Sequence, residues 1–231
     1  AVGSDLGRAL AARGHETRAY AWRSELDVTR PEDVREKVAA FAPDYIERGR
    51  VEVLQRYFSL LPESVIRARP ELLLYHGDAL RRFGQAGAAT ARYEDARLAF
   101  ESCGDSVGVS RALTELAELA RSQGDYRRAR SLAASVVESP APRNHHAVRA
   151  RALMALAKSE GFLVGMDRGR ALAEEALAEA RRAGDSVSPR ARAALLRSRG
   201  QICWWHGDPQ ATVRYCQEAL QSIPDELSPI A

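Results

Sequence analysis

Six glycines recur through the 231-residue chain at a nearly fixed interval, and no other feature limits the fold as much. Gly14, Gly49, Gly84, Gly124, Gly165 and Gly207 stand 35, 35, 40, 41 and 42 residues apart, each closing one helix-like run and preceding another. A period of this length marks a helical-hairpin solenoid, in which each hairpin buries its apolar face only against its neighbours. The phrases GHETRA from Gly14, GQAGAA from Gly84, GDYRRA from Gly124 and GDPQAT from Gly207 all place Ala or Thr five positions after the glycine. The glycine supplies the positive φ of a tight αα turn, and the small residue lets the second helix lie close against the first. A second marker follows twelve residues after the glycine, at Ala96, Val136 and Ala219. The pairs Gly104–Asp105 and Gly184–Asp185 read as a helix stop followed by an N-cap.

Between the markers the apolar residues keep helical time. Leu113, Leu116, Ala117 and Ala120 fall at i, i+3, i+4 and i+7, and Leu72, Leu73, Gly77, Leu80 and Phe83 nearly repeat the pattern. The chain is expected to be all-α, a superhelical solenoid of about six hairpins with helices near 4–13 and 16–26, 31–48 and 50–61, 69–83 and 85–103, 106–123 and 125–138, 144–163 and 167–183, and 189–206 and 208–222. Pro31, Pro70, Pro189 and Pro209 sit at or near helix starts, where a missing N–H costs nothing, and residues 139–144 form the longest linker. Pro43 does not fit: inside the helix expected over 31–48 it should cost about 3 kcal/mol or introduce a kink. Residues 1–222 are read as one solenoid and 223–231 as a tail.

Composition narrows the function. With 45% hydrophobic and 28% charged residues, the chain is too apolar and too balanced in charge to be disordered. No apolar run is long enough to span a membrane and the start has no signal-peptide pattern, so a cytoplasmic protein without membrane contact is expected. Cys103, Cys203 and Cys216 are an odd set without a CxxC pair, which argues against a disulfide scaffold or zinc ribbon. The net charge is only +3, and Asp and Glu are interleaved with Arg, so no basic block tracks a nucleic-acid backbone. The opening Ala1 reads as part of something longer.

Gly77, Gly84, Ala89, Tyr93 and Ala96 in one unit, and Ala117, Gly124, Tyr126, Ala129 and Val136 in the next, resemble the tetratricopeptide repeat. Within that superfamily, Gly49, Leu54, Leu61, Pro62, Pro70, Leu72, Leu73, Gly77, Ala79 and Leu80 are similar to the helical sensor of MalT-like, LuxR-family bacterial regulators. The resemblance implies a recognition segment flanked by an NTPase module and a DNA-binding helix-turn-helix. This chain contains neither a GxxxxGK[ST] phosphate loop nor a helix-turn-helix signal. A peptide or protein partner, or a small-molecule inducer, is the expected ligand, and any DNA contact belongs to domains outside this chain. A freestanding repeat adaptor is the alternative.

A weaker resemblance covers the first 46 residues. Gly3, Gly7, Leu26, Asp27, Val28, Pro43 and Asp44 are similar to the start of sugar-nucleotide reductases of the dTDP-dehydrorhamnose type, a resemblance that implies, as a further alternative, a truncated nucleotide-sugar reductase fused to helices. Only Ala1 and Val2 precede Gly3, so the strand that positions a dinucleotide turn is missing, and neither lysine follows a Tyr by four residues.

No catalytic set, metal cluster or cofactor site is expected. His145 and His146 are adjacent and point apart, as solvated linker residues would. His76 and His206 suit packing or capping, Cys203 and Cys216 suit the core, and Glu174 and Glu175 suit a charged outer face. The candidate site is the concave wall. Counting 13, 10, 6 and 3 residues back from a turn glycine gives Glu71, Leu74, Asp78 and Arg81, then Arg111, Thr114, Glu118 and Arg121, and finally Ala194, Arg197, Gln201 and Trp204. One residue of slack at Gly165 gives Arg151, Met154 and Lys158. The binding residues expected from this count are Asp78, Arg81, Arg111, Thr114, Glu118, Arg121, Arg151, Lys158, Arg197, Gln201 and Trp204. The competing assignment pairs these charges along each helix, Arg111 with Glu115 and Glu118 with Arg121.

Overall fold

A computed structural model describes residues 31–47, 49–140 and 144–223. The hairpin expected around Gly14, most of the reductase-like segment and the end of the tail lie outside the described residues. Within them the chain forms helices only: α1 (Pro31–Glu47), α2 (Val51–Leu60), α3 (Glu63–Arg67), α4 (Pro70–Arg82), α5 (Ala86–Ser102), α6 (Ser106–Ser122), α7 (Tyr126–Glu138), α8 (His146–Leu163), α9 (Met166–Ala183), α10 (Pro189–Trp205) and α11 (Pro209–Gln221). Five hairpins follow one another, α1 with α2, α4 with α5, α6 with α7, α8 with α9 and α10 with α11, each packed on the next.

The turn chemistry explains the period. Gly84, Gly124 and Gly207 have φ of 73°, 84° and 78°. The residue after each donates back across the helix end: Gln85 to the Leu80 carbonyl at 3.0 Å, Asp125 to Ala120 at 2.9 Å and Asp208 to Cys203 at 2.9 Å. This closure satisfies carbonyls the helix leaves unpaired and needs a residue that tolerates positive φ. The next helix then starts on a carboxylate: Asp125 accepts from the Arg128 N–H, Asp208 from Ala211, and Asp105, after Gly104, from Val107 and Gly108. The expected equivalence of Asp185 fails, because residues Gly184–Ser186 form a 3-10 turn and Ser188 caps α10 instead. The short α3 was not expected; five residues are too few to show a period. α1 runs through Pro43 without a break, leaving that proline exposed.

Close helix approach depends on residues without bulk. Ala89, Ala96, Ala129 and Val136, four of the spacing markers, are buried. A methyl at Gly77 would stand 2.5 Å from the Tyr93 ring, and one at Gly108 would stand 2.2 Å from the Phe100 ring. α8 and α9 cross at Gly161 and Gly169, where a methyl on Gly169 would stand 2.7 Å from the Ala157 carbonyl oxygen. The core runs from Val38, Leu54 and Phe58 through Leu72, Leu73, Tyr93 and Phe100 into Leu153, Leu177 and Ile202. The stack curves enough to bring its described ends together: a methyl on Gly49, in the first turn, would lie 3.9 Å from Nη1 of Arg190 in α10. The first helices of the hairpins therefore face a shared interior.

Candidate functional site

Two structures occupy that interior, a web of ion pairs and a cavity beside it. The web begins on α4. Asp78 accepts from the Tyr93 hydroxyl at 2.7 Å, and Arg81 Nε donates to the same hydroxyl oxygen at 3.2 Å. Gly77 makes this possible, since a side chain there would collide with the Tyr93 ring. Arg81 Nη2 lies 3.7 Å from Glu115 on α6, and Arg151 on α8 donates to the other Glu115 oxygen. One turn further along α6, Glu118 accepts from Lys158 at 2.5 Å and from Arg121 at 3.1 Å. Three successive hairpins are thus tied through carboxylates on the middle one.

The electrostatics follow from burial. At Asp78, burial and then the negative Glu115 push the carboxyl up to about 6. Glu115 is equally buried, but Arg151 and Arg81 override the burial and hold it below the ordinary carboxylate range. Burial also opposes the charge on Glu118, yet Lys158 and Arg121 hold it down at about 2. Lys158, the partner, is lowered by its own burial against the pull of Glu118.

Beside the web lies a cavity of about 340 Å³, lined by Tyr75 and Asp78 of α4, Arg111 and Thr114 of α6, and Arg151 with Ala147 and Val148 of α8. Pro43 and Ile46 of α1, Ser186, Val187 and Ser188 before α10, and Ala191 and Leu195 of α10 complete it. The placement of Pro43 here gives that residue a location, a rim, that the repeat alone did not suggest. The Thr114 hydroxyl is committed to the Ser110 carbonyl at 2.8 Å, and Ser188 is committed as a cap. Arg111 makes no hydrogen bond or ion pair among the described residues, and the Tyr75 hydroxyl is likewise unpartnered there.

Of the residues expected on the inner wall, Asp78, Arg111, Thr114 and Arg151 are brought together around the cavity. Arg81, Glu118, Arg121 and Lys158 belong to the ion web. Arg197 and Gln201 are exposed on α10, and Trp204 is 65% exposed, but none of the three lines the cavity. Leu74 and Met154, counted to the same face, are buried in the core. Trp205, not Trp204, joins the packing, edge-on to Phe162 at 5.0 Å, while Phe162 stacks on Tyr126 at 4.3 Å. The pairing expected of Glu118 with Arg121 is present, but Glu115 turns to Arg81 and Arg151 rather than to Arg111. Tyr75 was not anticipated, and α10 contributes Ala191 and Leu195 to the cavity in place of the residues expected from it.

The remaining candidates resolve as structure. His76 stacks on Phe58 at 4.5 Å, and burial, helped by the charge of Arg92, pushes it down to about 4. His146 is not a solvated linker residue: it opens α8 and its Nδ1 lies 2.7 Å from Glu179. His206 ends α10 and reaches Asp167 at 2.9 Å. Glu174, expected on a free outer face, accepts from the buried Arg199 at 2.7 Å and from the Tyr215 hydroxyl at 3.2 Å. Cys203 is buried as expected but Cys216 is exposed. Among the described residues no three His, Cys, Asp or Glu side chains are placed to hold a metal ion, and no helix is long and apolar enough to cross a membrane.

No protein-family model and no curated protein matches the chain. Solved structures do. BtubC (BKLC) from P. vanneervenii is 17% identical with a TM-score of 0.55, over 93% of this chain and 88% of that one. PilF of Pseudomonas aeruginosa is 11% identical with a TM-score of 0.56, over 84% of this chain and 79% of that one. A Podosopora anserina protein of kinesin light chain type, with nearly identical TPR-like repeats, is 17% identical with a TM-score of 0.54, over 81% of this chain and 93% of that one. At these identities the likeness is one of fold, a tetratricopeptide-type solenoid.

Proposed function

We propose that the chain is a recognition module that binds a peptide or a small molecule in its concave interior and carries out no chemistry itself. The observation that carries this reading is the cavity shared by α1, α4, α6, α8 and α10, into which an unpartnered guanidinium, Arg111, is built. Tetratricopeptide-type solenoids present their curved inner surface for binding, and the fold likeness to PilF and to the kinesin light chain type supports the same use here. The similarity of residues 49–80 to MalT-like regulators supports a finer version, a signal-sensing segment of a bacterial transcriptional regulator. A freestanding adaptor would use the same surface.

The test is a thermal-shift screen of the purified chain against peptide arrays and a metabolite panel, repeated with inner-wall variants. A ligand at one hundred times its Kd stabilises the folded chain by about 2.7 kcal/mol. Hits that vanish on inner-wall substitution support the reading, and hits that map to the outer helices contradict it. Calorimetric titration with NADPH and with ATP should give no heat. Micromolar affinity for NADPH would instead favour the reductase resemblance of the N-terminal segment.

A further inference from the structure

The cations of the inner wall are not equivalent. Arg81, Arg121, Arg151 and Lys158 all have a carboxylate within 4.0 Å, whereas Arg111 has none among the described residues. The carboxylates here are Asp78, Glu115 and Glu118, and the cations are Arg81, Arg111, Arg121, Arg151 and Lys158. The acids are outnumbered even when all of them are ionised. A half-buried guanidinium lining a cavity is costly without an anion to pair with it. No described carboxylate lies within 4.0 Å of it, although Asp78 lines the same cavity.

The rest of the lining says what the anion is attached to. Ile46, Val148, Val187, Ala191 and Leu195 form an apolar surround. Besides Arg111, the half-buried wall offers the Tyr75 hydroxyl as an uncommitted donor, while Arg151 turns one of its nitrogens to Glu115. The fork of a single unpaired guanidinium offers two parallel N–H bonds to the two oxygens of a carboxylate, and the apolar surround fits an anion that is one end of an apolar body. About 340 Å³ lies at the small end of ligand cavities. It is too small for a helix, whose diameter with side chains is about 10–12 Å.

We infer that this cavity is a binding site for a small organic monocarboxylate with a compact apolar body, its carboxylate held by the fork of Arg111 and the hydroxyl of Tyr75. The inference rests on the concave-recognition reading and narrows it to one ligand chemistry. Arg111 sets the charge requirement, and the α10 residues Ala191 and Leu195 limit the size of the apolar body.

Isothermal titration of the full chain with benzoate, 3-phenylpropionate and octanoate, each beside its primary amide, tests it. At least one acid should bind and its amide should bind at least tenfold more weakly. Arg111→Gln should weaken the acid at least tenfold with an unchanged circular dichroism spectrum. Ala191→Phe, which fills the cavity without touching its charge, should do the same. Equal affinity for acid and amide, indifference to Arg111→Gln, or no binding by any of the three acids at millimolar concentration would each overturn the inference. If peptides still bind the inner wall after such a result, concave recognition stands and only the carboxylate site falls. If nothing binds, both fall.

Discussion

Around Glu115 and Glu118 the inner wall is electrostatically closed, while one helical turn away, at Arg111, it is open. Both regions lie on α6, where the count from Gly124 reaches Arg111 and Glu118 and the helical spacing pairs Glu115 with Arg111. In the closed region every described cation meets a carboxylate from a neighbouring helix or its own, and the pairs tie α4, α6 and α8 together. In the open region the guanidinium meets a cavity. Residue type and helical register therefore do not separate a paired arginine from an unpaired one. What separates them is the partner supplied across the hairpin boundary.

The contrast is broken most strongly at its closed end. Glu115→Ala leaves Arg81 and Arg151 facing each other without their shared anion, and should cost about 3 kcal/mol in urea unfolding. That is the low end for breaking a buried pair, because the Arg151 side chain is 45% exposed and can turn to water. A cost below 1 kcal/mol would make the web ornamental. The next largest effect comes from geometry alone. Gly77→Ala pushes a methyl into the Tyr93 ring and should destabilise by about 2 kcal/mol, as overpacking does. It should also detach the Tyr93 hydroxyl from Asp78, visible as a shift in the Asp78 carboxyl resonance.

Asp78 sits where the two regions meet and gives the contrast a pH dependence. Arg81 on its own helix, Tyr93 on α5, Arg111 and Glu115 on α6 and Arg151 on α8 surround it. The folded state holds its proton up to about 6, above the ordinary value of 3.8, so the native form binds more protons than the unfolded form between those values. The stability contributed by this group is thus present below pH about 4 and is lost as pH rises through about 6. Asp78→Asn should remove that slope. Carboxylate affinity should weaken over the same range in the parent chain and not in the variant, because an ionised Asp78 repels the ligand. An affinity that rises with pH would contradict the placement of the ligand beside Asp78.

A smaller effect is expected at Trp204. With that ring largely exposed, Trp204→Ala should stay within about 1 kcal/mol of the parent, whereas Trp205→Ala, which loses its contact with Phe162, should cost more. The reverse order would mean that the α10 terminus is packed differently.

Much of the fold was legible in the sequence because its turns have a strict chemical requirement. A helix that closes on positive φ takes glycine, and the next helix takes a carboxylate cap, so Gly124–Asp125 and Gly207–Asp208 announce themselves. The rule misfires at Gly184–Asp185, where a 3-10 turn intervenes and Ser188 takes the cap. The inner face was legible for the same kind of reason: a period of 3.6 residues fixes which side of a helix Asp78, Arg111 and Arg151 share. The choice of partner was not legible. Whether Glu115 reaches Arg111 four residues away or Arg81 and Arg151 on other hairpins depends on how far one hairpin is rotated against the next. The same rotation buries Leu74 and Met154, leaves Trp204 outside the cavity and brings Ala191 and Leu195 to its wall.

The central claim is that Glu115 belongs to the scaffold and Arg111 to recognition, and side-by-side urea unfolding of Glu115→Ala and Arg111→Gln tests it most directly. Arg111 gives up no described partner, so Arg111→Gln should unfold within about 0.5 kcal/mol of the parent, as substitutions away from packed or paired features do. Glu115→Ala should fall about 3 kcal/mol below it. Equal losses in the two variants would contradict the account, because Arg111 would then be holding the fold together as Glu115 does.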